Sequence, residues 1–90
     1  MKPIRWAQHA VESLTEREID RSEAEATLQN PELVVPDPPA REVSMRRYFD
    51  RVLQKEMLMR VVVEQTVSET VVVTVYKTSQ MERYMKEVQR

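Results

Sequence analysis

The sequence predicts an α+β domain: two amino-terminal helices packed on a four-stranded antiparallel sheet, followed by a short carboxy-terminal helix. Three observations carry this. The stretch from Met57 to Lys77 holds two valine-rich runs, M-L-M-R-V-V-V-E-Q and T-V-V-V-T-V-Y-K, split by the polar T-V-S-E. β-Branched residues lose side-chain freedom in a helix and fit a pleated surface, so the two runs read as a central antiparallel hairpin. Before Asn30, apolar residues instead recur at helical spacing. Between these regions Pro36, Pro38 and Pro39 punctuate the chain, and alternation sets in from Ser44.

The elements follow in order. Ile4 and Trp6 flank Arg5 in a short extended lead-in. A helix fits from Gln8 to Arg17, with Ala10, Val11 and Leu14 facing the sheet and Ile19 packing inward after it ends. Asp20-Arg21-Ser22-Glu23 reads as a capping box for a second helix, Arg21 to Gln29, that buries Ala24, Thr27 and Leu28. Pro31 stops that helix at Asn30. Glu32 to Val35 is an edge strand. Ser44 to Leu53 is a longer one, with Met45, Arg47, Phe49, Arg51 and Leu53 on one face and Arg46, Tyr48, Asp50 and Val52 on the other. Gln54-Lys55-Glu56 turns it into the central hairpin. In the last strand Val71, Val73 and Val75 point one way and Val72, Thr74 and Tyr76 the other. Val61, Val63, Val71, Val73 and Val75 are the expected core. Thr78 or Ser79 caps a final helix toward Val88, carrying Met81, Tyr84, Met85 and Val88 at helical spacing. This order predicts two layers.

Ninety residues make one domain with a small core, which a homodimer would reinforce. The net charge is −1, so no global attraction to nucleic acid or membrane is expected. The charge is uneven, however. Met1 to Glu32 carries four basic and seven acidic residues, whereas Leu33 to Val63 carries six basic and four acidic. Without cysteine there is no disulfide, thiol nucleophile or Cys-based metal site, and a single His excludes a His cluster. The absence of glycine excludes Gly-rich phosphate loops and forces any left-handed turn onto another residue type. No metal and no cofactor are expected. The opening M-K-P-I-R-W does not resemble a signal peptide, and no run reaches membrane-spanning length. A cytoplasmic protein with no membrane contact is therefore expected.

Five segments occur in a familiar order: H-A-V-E-S-L-T-E-R-E-I-D, Q-N-P-E, R-R-Y-F-D-R-V, L-M-R-V-V-V-E and V-V-V-T-V-Y-K-T-S-Q-M-E-R-Y. With them the chain resembles a small bacterial family, domain of unknown function 4258, over nearly its whole length. More distantly it resembles toxin ribonucleases of the RelE and BrnT kind, which share two amino-terminal helices against an antiparallel sheet. That second likeness is one of fold and element order. It implies RNA cleavage by a toxin held in check by a protein antitoxin. Two positions depart from the family pattern. Glu18 stands where the family usually has glycine between the helices, and Ala7 stands where it commonly has a Ser or Thr helix cap.

Cleavage of RNA by a 2′-hydroxyl needs a base, an acid and positive charge at the phosphate. His9 is the only histidine in the chain, and histidine is the side-chain type suited to act as a base at neutral pH. Arginine suits phosphate because its fork is bidentate and permanently charged. The candidate catalytic residues are His9, Arg47 and Tyr48. The candidate RNA-binding residues are Arg46, Arg51, Tyr76 and Lys77, with Arg47 and Arg51 on one strand face ~13 Å apart and Tyr76 placed to stack on a base. Each also has a plain structural reading: His9 on the surface or against Trp6, the arginines paired with nearby carboxylates, Tyr76 in packing. The rival function is a non-catalytic protein-interaction module that uses a sheet edge or the carboxy-terminal helix.

Overall fold

The computed structural model describes residues 2–85. Its elements are β1 Ile4–Trp6, α1 Gln8–Glu16, α2 Arg21–Gln29, β2 Leu33–Asp37, β3 Arg41–Asp50, β4 Lys55–Gln65, β5 Thr70–Thr78 and α3 Met81–Met85. Strands β2 to β5 form the expected antiparallel meander. The lead-in strand adds a fifth member. β1 pairs in parallel with β5, Ile4 opposite Thr70 and Trp6 opposite Val72, so the sheet is mixed and ordered β1-β5-β4-β3-β2. Backbone groups seek partners wherever an edge is available. The Thr70 amide donates to Pro3 at 2.9 Å and the Ala7 amide to Val72 at 3.0 Å, fastening the lead-in along β5.

Both faces of the sheet are covered, which replaces two layers with three. Helices α1 and α2 lie on one face over Met57, Met59, Val61, Val63, Val72 and Val75, with Ala10, Ile19 and Ala24 in the contact. On the other face Val43, Met45, Leu58 and Val62 are buried, and Met81, Tyr84 and Met85 of α3 pack against them. Val88 lies outside the described residues.

Strand alternation explains most of this, with one break. The β4–β5 register slips at Val62/Val63, so that Val62 faces Thr74 and Val63 faces Val72. Val73 is thus an extra residue, a β-bulge. A bulge shifts the phase of everything beyond it. Val75 joins Val72 under the helices, whereas Val73 and Tyr76 join the opposite cluster. The expectation that Val71, Val73 and Val75 share a face fails for this reason. β3 also ends earlier than expected. Asp50 is its last residue, and 51–54 form the turn, with Gln54 at φ 56°. Arg51 therefore does not share a strand face with Arg47.

The helices show two further departures. Val11 is 42% exposed, and the buried α1 positions are Ala10 and Ser13. Asp20 caps α2 through the Ser22 amide (3.0 Å) and hydroxyl (2.8 Å), while the Glu23 side chain turns to Arg46 instead of closing a capping box.

Glu18 has φ 52°, the left-handed conformation that glycine favours. Around it the Ile19 amide donates to Leu14 at 2.8 Å and the Glu18 amide to Thr15 at 3.3 Å, the bonds of a Schellman termination. Glu18→Gly is expected to stabilise the domain by up to about 1 kcal/mol, part of the relief being offset by a more flexible unfolded chain. Urea midpoints of the two proteins measure it. A lower midpoint for the glycine variant would mean that the turn carries no strain.

Candidate functional site

Asp50 is the polar centre of the helix-covered face. It ends β3, its side chain is 5% exposed, and it accepts four hydrogen bonds. Lys77 Nζ donates to Oδ2 at 2.7 Å and the Tyr48 hydroxyl to the same oxygen at 2.9 Å. The amides of Val52 and Leu53 donate to Oδ1 at 2.9 and 3.0 Å. Lys77 Nζ also donates to the Glu18 carbonyl at 2.9 Å, tying the left-handed turn after α1 to the end of β5. Burial alone would raise the pKa of Asp50. The bond from Lys77, the Leu53 amide, the Tyr48 hydroxyl and the Lys77 charge outweigh it and hold the carboxyl down at about 2. Tyr48 moves the opposite way: burial, then its bond to Asp50, pushes the phenol above its ordinary range.

Asp50 was not among the candidates drawn from sequence, although a signal for it exists. An Asp whose chain then leaves a strand often bonds amides two and three residues on, holding a turn. Here it does so with the turn 51–54.

The candidate residues are distributed as follows. His9 is exposed on the first turn of α1, which packs over β5, and its carbonyl accepts the Ser13 hydroxyl at 2.9 Å. α1 starts from Ala7 without a side-chain cap. Arg47 projects from the opposite face of the sheet. Its Nη2 and Nε grip Glu32 Oε2 at 2.8 and 3.1 Å, and its own amide donates to Oε1 at 2.8 Å. This bonding lowers the Glu32 carboxyl and raises the Arg47 guanidinium from their ordinary values. Arg46, on the helix side, bonds the Glu23 carboxylate. Tyr76 lies with its ring 4.7 Å from the Arg60 guanidinium, which also stacks on Tyr84 at 3.9 Å. Arg51 is exposed in the turn.

The fold thus brings Tyr48 and Lys77 together through Asp50. It keeps Arg47 and Tyr76 on the other face and His9 on a helix. The positive excess of the middle segment is also cancelled in space. Glu23 and Glu32, from the acidic amino-terminal part, reach across to Arg46 and Arg47.

Beside Asp50 lies a groove of about 290 Å³. Glu18, Asp20, Ser22 and Glu23 form one rim, and Tyr48, Phe49, Asp50, Arg51 and Val52 the other. Among the described residues no group of three His, Cys, Asp or Glu side chains is placed to hold a metal ion, and no helix is long and apolar enough to cross a membrane.

No curated protein and no solved structure matches the chain. A family model does: Domain of unknown function (DUF4258), over residues 6–77. That span starts at the last residue of β1 and ends at Lys77, the partner of Asp50. It takes in both packed helices, the meander and the whole buried polar cluster, and on this match the chain belongs to the DUF4258 family.

Proposed function

We propose that the domain is a non-catalytic protein-interaction module with a RelE/BrnT-like arrangement of helices and sheet, working in the cytoplasm. The observation that carries this reading is the dispersal of the groups that RNA cleavage would need. A base, an acid and a phosphate clamp must all reach one reacting centre. His9 stands on α1, Arg47 lies on the far side of the sheet, and Tyr48 is buried with its proton committed to Asp50. Of the cations expected to meet phosphate, Arg46, Arg47 and Lys77 each already hold a carboxylate, and Arg51 alone stands exposed without one among the described residues. An anionic polymer would have to displace those partners.

The second reading is a toxin-type ribonuclease that acts on RNA and is paired with a protein antitoxin. The helix pair lying against the sheet favours it, and so does the exposed imidazole of His9 at a helix start, where unbonded amides favour an anion.

One experiment separates the two. The protein is titrated with single-stranded RNA at several salt concentrations, and its effect on growth is scored when expressed as wild type and as His9→Ala. The module reading expects no RNA binding even at low salt, and harmless expression. Growth arrest relieved by His9→Ala, with RNA affinity that falls steeply with salt, would overturn it in favour of the ribonuclease.

A further inference from the structure

Six large apolar side chains are exposed among the described residues, and three of them fall within five consecutive positions: Phe49 at 57%, Val52 at 63% and Leu53 at 47%. Scattered apolar residues need no explanation, but a contiguous set does. These three occupy the end of β3 and the turn 51–54. Nor is the turn loose. Asp50 bonds two of its amides, the Gln54 side chain donates to the Arg51 carbonyl, and the Asp50–Lys77 pair anchors it in the core. An apolar tip held rigid in water has already met most of the ordering cost of binding.

The groove beside this tip is its complement. Val52 gives it an apolar edge, and Glu18 and Asp20 give it a carboxylate rim. Its volume falls at the lower limit of small-molecule sites, roughly 300 Å³, which suits one inserted side chain better than a free ligand. The tip offers what such a groove selects, an apolar pair (Val52, Leu53) next to a cation (Arg51). Among the described residues Arg51, Glu18 and Asp20 all lack an ion-pair partner. Arg51 lies near enough to Asp20 for its charge to be felt there but makes no bond to it.

We propose that two copies of this chain associate about a two-fold axis at this site, each seating its β3–β4 turn in the other's groove, with Arg51 of one copy against Glu18 and Asp20 of its partner. A two-fold interface requires one patch to carry both halves of every contact, and this patch does. The inference rests on the interaction reading and names its first partner, a second copy. Its small apolar centre makes the dimer a weak one.

The test is sedimentation equilibrium of the full chain across a wide concentration range. Wild type should show a reversible monomer–dimer equilibrium. Arg51→Glu should weaken it by roughly tenfold or more, because like charges then face each other. Combining Arg51→Glu with Glu18→Arg should restore it, and Val52→Asp should abolish it. All these positions are exposed, so each variant should keep the wild-type melting temperature. A wild type that stays monomeric at the highest concentration overturns the proposal, as does a dimer indifferent to Arg51→Glu and Val52→Asp. Either result leaves the interaction reading standing, since that is removed only by growth arrest relieved by His9→Ala together with salt-sensitive RNA binding.

Discussion

Asp50→Ala is expected to destabilise the domain by about 3–5 kcal/mol, the cost of leaving one member of a buried ion pair without its partner. The carboxylate has little access to water, and Lys77, with 11% of its side chain exposed, has hardly more. Removing Asp50 strands that ammonium, the Tyr48 hydroxyl and two turn amides at once. Replacing Lys77 by Met in the same chain should recover part of the loss, because an uncharged pair no longer carries an unbalanced charge. Acid should reproduce the effect in the wild type. The Asp50 carboxyl titrates at about 2 in the folded chain and near 3.8 when unperturbed. Its folded value is the lower one, so the stabilisation is complete above about pH 4 and disappears as the pH falls toward 2. Urea midpoints between pH 7 and pH 2 measure this for wild type and Asp50→Ala. The variant should lie far below wild type at neutrality, and the gap should narrow in acid. Equal midpoints at pH 7 would show that Asp50 does not hold the turn and Lys77 together.

Much of the fold was legible because it rests on local patterns. The valine runs specified β4 and β5, Asp20 and Pro31 bracketed α2, and Pro38 and Pro39 follow the end of the edge strand, which runs on past Val35 through Pro36 to Asp37. What escaped depends on contacts distant in sequence. Nothing local marks Val73 as a bulge, since it is one valine among three, yet that residue decides which face Val75 and Tyr76 occupy. Ile4–Trp6 is too short to announce itself as a strand and becomes one only where β5 offers an open edge. The charge reading shows the same limit. The middle segment is basic along the chain, but Glu23 and Glu32 neutralise Arg46 and Arg47 from 23 and 15 residues away. A linear window cannot register partners that only folding supplies.

The opposite face of the sheet yields the second large effect. Leu58→Ala is expected to cost about 2–5 kcal/mol, the range for truncating a leucine in a packed core. Leu58 alternates with Met57 and Met59, so it points away from α1 and α2. On a two-layer sheet that side would be wet, and truncation there would cost well under about 1 kcal/mol. Instead Leu58 has no exposed surface and shares a cluster with Val43, Met45 and Val62, against which Met81, Tyr84 and Met85 of α3 pack. Arg60, on the same side of β4, is stacked between Tyr76 and Tyr84, so the helix is held at an aromatic contact as well as an apolar one. Phe49 supplies the control. It lies on the same side of the sheet but beyond this cluster and is exposed, so Phe49→Ala should change stability by no more than about 0.5 kcal/mol. Denaturant unfolding of the two variants compares a buried and an exposed position on one face. A cost for Leu58→Ala as small as that for Phe49→Ala would mean that α3 leaves this face to water and that the domain has two layers after all.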